Sequence, residues 1–113
     1  MRAVETPDFL LLGSVVIVKG STKKVMIIAR AVAIPQEGSV RYYDYGGCLY
    51  PEGLLGDRVI YFNCEGVQKV VHEGYADEEN ELILETLKEN LAYVQIEKGD
   101  PKPFDPSLQS QGR

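Results

Sequence analysis

Apolar residues follow two rhythms along this chain. Between positions 14 and 75 they come in short runs of β-branched and aromatic residues, separated by Gly, Pro, Asn and Ser. From position 78 they recur every three or four residues. The first rhythm is that of extended strands, the second that of an amphipathic helix. Ser14-Val15-Val16-Ile17-Val18-Lys19 is expected to form a strand, Gly20-Ser21-Thr22-Lys23 a turn, and Lys24 to Ile34 a second strand. The link is too short for a parallel crossover, so the two strands are expected to form an antiparallel hairpin. Their near-continuous apolar content implies that both faces are at least partly covered. Pro35-Gln36-Glu37-Gly38-Ser39 reads as a break, because proline cannot continue a central ladder.

Val40 to Tyr50 reads as a third strand, interrupted by Gly46-Gly47. Paired glycines in a strand mark a bulge or the close approach of another backbone. The tyrosines around them cannot all face one way, so they are expected to divide between core and surface. Pro51 to Asp57 is a loop that carries Leu54 and Leu55. Arg58 to Phe62 reads as a short strand or an extended lead-in, and Asn63 is placed to cap a helical turn over Cys64 to Val67. Gln68 to Tyr75 reads as a further strand.

The helical rhythm predicts a helix over 78–96, with Asp77 as N-cap and Glu78, Glu79 and Glu81 at the positive end of its dipole. Leu82, Ile83, Leu84, Leu87, Leu91 and Val94 supply apolar positions that spread wider than one narrow stripe. Gly99 reads as a stop. Pro101, Pro103 and Pro106 then lead a tail expected to be disordered by itself. Strands first and a single helix last, with no βαβ alternation, predict an α+β fold: a small antiparallel sheet or open barrel of about five strands with a C-terminal helix. Residues 1–8 are expected to be a flexible arm, 9–98 a single domain, and 99–113 the Pro-rich tail.

Composition narrows the function classes. With 113 residues the chain fits one domain. Its net charge of −5 argues against general nucleic-acid binding, which needs clustered Lys and Arg. The acidity concentrates between Asp77 and Asp100, with eight acidic residues against two lysines. No apolar stretch approaches the roughly 20 residues of a membrane helix, and the amino terminus carries no secretory pattern. Cys48 and Cys64 are expected to be a reduced pair of a cytoplasmic protein.

Candidate chemistry is sparse. His72 is the single histidine and alternates within a strand, so it reads as a surface or partly buried residue rather than a member of a triad. His72, Cys48 and Cys64 lack metal-ligand spacing. Gly20-Ser21-Thr22-Lys23-Lys24 opens a strand, whereas a phosphate loop opens a helix. No catalytic residue, metal site or cofactor is expected. Tyrosines and leucines, in contrast, are suited to protein contacts through their large area and, for Tyr, a polar handle.

One stretch carries a longer signature. Tyr43-Asp44-Tyr45-Gly46-Gly47-Cys48-Leu49-Tyr50-Pro51-Glu52-Gly53 resembles the central motif of the family catalogued as domain of unknown function DUF4176. Leu12-Gly13-Ser14-Val15-Val16-Ile17-Val18-Lys19-Gly20 and Lys23 to Arg30 resemble its opening. Phe62-Asn63 with Val70-Val71-His72-Glu73-Gly74-Tyr75 resembles its close. The likeness covers about residues 9–96. It departs from the pattern at Leu11-Leu12, where the family has a proline-aliphatic pair, and at Ala29, where it has glycine.

The resemblance offers no catalytic residue to carry over. It implies a companion of type VII secretion loci in Gram-positive bacteria: a cytoplasmic chaperone that binds a cognate LXG-type toxin, through the toxin's carboxy-terminal domain, and stabilises it for export. The alternative is an immunity protein that binds the toxin's active site. No nucleic acid, membrane insertion or small-molecule substrate is expected. The residues expected to touch the partner are Tyr42, Tyr43, Leu54, Leu55, Tyr61, Leu84 and Leu91.

Overall fold

The computed structural model describes residues 8–91 and Gly99. The arm expected over 1–8 lies outside the described residues except for Asp8, as do the predicted helix end at 92–96 and all of the Pro-rich tail but Gly99.

Five strands, a 3-10 turn and one α-helix follow in order: β1 (Val15–Val18), β2 (Lys24–Gln36), β3 (Ser39–Tyr50), β4 (Ile60–Phe62), the turn Cys64–Gly66, β5 (Val67–His72) and α1 (Glu78–Leu91). The strands make one antiparallel sheet in the order β4-β3-β2-β1-β5. The chain is α+β, as the two rhythms predict.

The β1–β2 hairpin forms where expected, with Val16 opposite Val25. The expected break at Pro35 does not occur. β2 runs through Pro35, which pairs with Val40, and only Glu37 and Gly38 turn the chain. Proline is tolerated because β1 pairs only with Lys24 to Met26, so at Pro35 the strand has its ladder on the β3 side alone. Glu37 and Gly38 both take positive φ (53° and 83°), as a tight two-residue hairpin turn requires.

The bulge also moves. The ladder skips a residue between Ile27 and Ala29, opposite Gly46-Gly47, so the extra residue is Ile28 on β2 rather than a glycine on β3. Gly47 serves the close approach instead. A Cβ there would stand 2.6 Å from Val25 Cγ1 and 2.8 Å from the Met26 carbonyl oxygen.

β4 and β5 lie at opposite edges of the sheet, yet only five steps of chain join Phe62 to Val67. Those steps span at most about 18 Å fully extended, and three of the residues between are wound into the 3-10 turn. Four strand spacings of a flat sheet are about 19 Å. The sheet must therefore curl, bringing its two edges toward each other. Inside the curl lie Phe9, Val16, Val18, Val25, Ile27, Tyr42, Tyr45, Leu49, Ile60, Phe62 and Leu91, with Leu84 and Leu87 of α1 packed against them. The Tyr45 ring stands at its centre, edge-on to Phe9 at 6.0 Å and tilted on Phe62 at 5.4 Å.

α1 begins as its sequence directs. The Asp77 carboxylate accepts a hydrogen bond from the Asn80 N–H at 3.0 Å, capping the first turn. Leu84, Leu87 and Leu91 turn toward the core, while Leu82 and Ile83 remain exposed. Arg30 of β2 ties the helix to the amino-terminal segment. Its Nη1 donates to Asn80 Oδ1 (2.9 Å) and to the Leu10 carbonyl (3.2 Å). Burial lowers the guanidinium pKa from its ordinary value. Among the described residues no helix is long and apolar enough to cross a membrane.

Candidate functional site

The signature stretch lies in β3, whose side chains are buried without a break from Tyr42 to Leu49. At its middle sits Asp44, fully buried. A carboxylate in an apolar strand is costly unless its oxygens are satisfied. Asp44 is held by a reciprocal exchange with the turn after β4. Its N–H donates to Asn63 Oδ1 (2.9 Å), and its Oδ2 accepts the Cys64 N–H (2.8 Å). The expected role of Asn63 as a helix cap is therefore replaced. Its side chain makes no cap bond and instead clamps β3. The other end of the same amide, Nδ2, donates to the Gly99 carbonyl at 3.0 Å, and Gly99 N–H donates to the Tyr42 carbonyl at 2.8 Å.

The tyrosines divide around this clamp. Tyr42 and Tyr45 belong to the core, and Tyr43 packs beside Tyr61 with ring centroids 5.6 Å apart. The Tyr43 hydroxyl donates to Gln36 Oε1 at 3.0 Å. Of the four tyrosines of β3, Tyr50 is the one that reaches solvent, 46% exposed. The buried Tyr42 hydroxyl makes no hydrogen bond of good geometry. Its pKa is raised well above the ordinary phenol value, first by burial and then by the Asp44 carboxylate beside it. Burial also raises that of Tyr45, opposed by the Leu10 N–H that donates to its hydroxyl.

Of the seven residues expected to meet a partner, three are built into the interior. Tyr42, Tyr43 and Leu91 are 2%, 2% and 5% exposed, so they present no contact surface. The reason is the curl of the sheet, which closes over Tyr42 and Leu91, and the seating of Tyr43 between Tyr61 and Gly99. Leu84 and Tyr61 are half-buried. Leu54 and Leu55 stand in the open, 50% and 46% exposed, a few residues beyond Tyr50. Lys23 Nζ pins the start of that loop to the β1–β2 turn through Glu52 Oε2 at 2.8 Å. Of the expected contacts, the structure thus leaves Leu54 and Leu55 together in one exposed loop, just beyond Tyr50, which was not among them, and places the others elsewhere.

Among the described residues, the group of possible metal-ligating side chains does not include His72. It lies exposed at the end of β5, five strand steps from Val67, or about 17 Å of strand. Cys64 stands before the other end of that strand, in the 3-10 turn. Both cysteines are thiols; burial raises the pKa of Cys48. Cys64 instead meets Asp44 and Glu65, their ligand atoms all within 4.8 Å of one another. These are donor types that a zinc-class ion accepts. The Asp44 oxygen bonded to the Cys64 backbone, however, gives this trio a structural task. Sequence reasoning read Asn63 as a helix cap and Gly99 as a helix stop, and gave Asp44 no role of its own; the signal for Asp44 was a carboxylate set among four tyrosines in an apolar strand.

Residues 9–83 match the model of a family described as "Domain of unknown function (DUF4176)". The matched span runs from the Phe9 core residue through β5 into the first turns of α1. No curated protein and no solved structure matches the chain.

Proposed function

Because the chain belongs to the DUF4176 family, we propose that it is a non-catalytic cytoplasmic chaperone that binds a cognate LXG-type toxin and stabilises it for type VII export. The observation that carries this reading is the apolar loop after β3. Tyr50, Leu54 and Leu55 fall within six positions and are each close to half exposed (46%, 50% and 46%), directly beyond a strand buried along most of its length. Apolar side chains grouped in solvent and rimmed by charge suit a protein interface. Here Glu52 and Asp57 are exposed beside them, with Arg58 half-buried.

In this reading the loop covers an apolar or folding-prone surface of the toxin's carboxy-terminal domain and is left behind when the toxin is exported. Co-expression with the toxin encoded beside it yields a complex that co-elutes in gel filtration at micromolar concentration. Separate elution refutes the reading.

A second reading, an immunity protein, is favoured by α1. Glu78, Glu79, Glu81, Glu85 and Glu89 are all exposed on it, a charge pattern that suits the basic cleft of a nuclease toxin. The two readings separate in a toxicity assay. An immunity protein rescues cells that express the toxin internally, whereas a chaperone changes toxin abundance or export.

A further inference from the structure

The core cluster draws on one face of the sheet. The ladder sets Leu49, Val25 and Val16 side by side across β3, β2 and β1, and all three lie inside the curl. Neighbouring residues of a strand point to opposite faces, so the adjacent row faces outward. It runs Tyr50, Lys24, Ile17 and Lys69 across β3, β2, β1 and β5. Tyr50, Lys24 and Lys69 are exposed and Ile17 is half-buried. The following outward row, Cys48, Met26, Val15 and His72, is more deeply buried except at His72 and adds no acidic residue. Glu52 and Glu73 lie past the strand ends, and Glu52 is already held by Lys23. In a chain of net charge −5, one outward row therefore alternates ammonium groups with apolar side chains.

The matching acidic surface is α1. Leu84, Leu87 and Leu91 turn to the core, and at about 3.6 residues per turn Leu82 falls on the opposite side. Glu78, Glu85 and Glu89 recur with it at helical spacings, so Glu78-Leu82-Glu85-Glu89 forms one outward stripe. Leu82 is 64% exposed, and the three glutamates are exposed around it. The dimensions of the two surfaces agree. Glu78 and Glu85 are about 10 Å apart along the helix axis, with Leu82 between them. Lys24 and Lys69 are two strand spacings apart, again about 10 Å, with Ile17 between them.

We propose that the outward row Tyr50–Lys24–Ile17–Lys69 docks α1 of a second copy of this chain, with Glu78 and Glu85 of one copy against Lys24 and Lys69 of the next and Leu82 seated over Ile17. Apolar burial at Leu82, Ile17 and Tyr50 holds the contact, and the charges fix its register. The contact is heterologous, helix on sheet, so each copy keeps one surface of each kind for a further neighbour. Assembly then proceeds head to tail or closes into a ring. The inference stands apart from the chaperone reading, and its test uses no toxin.

The test is the average mass of the full chain, followed by sedimentation and light scattering over a concentration series. Wild type gains mass as its concentration rises to about 100 μM, and about 0.5 M salt removes most of the gain by screening the ion pairs. Lys24→Glu with Lys69→Glu places like charges at the contact, as does Glu78→Lys with Glu85→Lys. Each double variant associates at least about tenfold more weakly than wild type. An equimolar mixture of the two restores association, because each sheet row then finds an α1 of opposite charge. All four substitutions in one chain restore it too, at the wild-type net charge.

A wild-type chain that stays monomeric through this range overturns the proposal and leaves the row to an acidic segment of another protein. Association that salt leaves unchanged, or that either folded double variant retains in full, overturns it as well. Failure of the mixture to associate overturns the pairing of these two surfaces. The substituted side chains are exposed, so both variants are expected to keep the wild-type circular dichroism. Should one unfold, the other variant and the salt series on wild type still decide.

Discussion

At position 47 a hydrogen atom is all the space allows. A methyl group would press on Val25 Cγ1 and, less forgivingly, on the backbone carbonyl of Met26. Gly46 is less confined, with Val59 Cγ1 at 3.1 Å as its nearest neighbour. Gly47→Ala is therefore expected to destabilise the protein by about 1–3 kcal/mol, and Gly46→Ala by less, as measured by urea denaturation. Tyr42 makes a second residue-scale prediction. A buried hydroxyl without a well-formed bond opposes folding, so Tyr42→Phe is expected to be neutral or stabilising by about 1 kcal/mol at neutral pH.

The two proteins should part at alkaline pH. The folded state holds the Tyr42 proton above its ordinary phenol pKa of 10.0. Above that pH the native chain binds more protons than the unfolded one, and stability falls as pH rises. Removal of the hydroxyl makes that decline shallower, which thermal melts across pH 8 to about 11 measure. The Gly46-Gly47 pair was legible in sequence as a bulge or a close approach, and at Gly47 it is the close approach. The Tyr42–Asp44 juxtaposition was not, because it arises where β3 stops alternating evenly: Tyr42 and Tyr45 both turn into the core while Tyr43 meets Tyr61.

The elements were the most readable part. β-branched runs gave the strands, and the Asp77 cap with Leu84, Leu87 and Leu91 gave the helix. Two kinds of bond fix α1, and they differ in range. Asp77→Ala removes a local cap and is expected to cost about 1 kcal/mol. Arg30→Met removes the bridge among β2, Leu10 and Asn80, at about 1.5–3 kcal/mol for hydrogen bonds from a charged group. Amide exchange tells them apart: Asp77→Ala loosens the first turn of α1, and Arg30→Met loosens α1 and the segment around Leu10 together. The first bond could be anticipated from a short stretch of sequence. The second joins residues 20 and 50 positions apart, and no periodicity announces it.

At the scale of the whole molecule, the surface is what the curl leaves outside. Leu54→Asp with Leu55→Asp alters side chains about half exposed, so the thermal transition of the isolated protein is expected to stay close to wild type. Under the chaperone reading, the same variant fails to co-elute with the toxin. Loss of the fold in that variant would place the leucines in a structural role instead.

The sequence by itself determined the α+β class, the hairpin of β1 and β2, the position of β3 and the start of α1. Each depends on contacts or conformational preferences within a few residues. Only the tertiary structure decided that β5 joins the sheet beside β1, that the sheet curls to let so short a link span its edges, and that Tyr42 and Tyr43 are covered while Leu54 and Leu55 are not. Those outcomes rest on pairings between distant positions, such as Asp44 with Asn63 and Tyr42 with Gly99. A polar atom's partner across the sheet is fixed by where the chain returns in space, which local pattern does not encode.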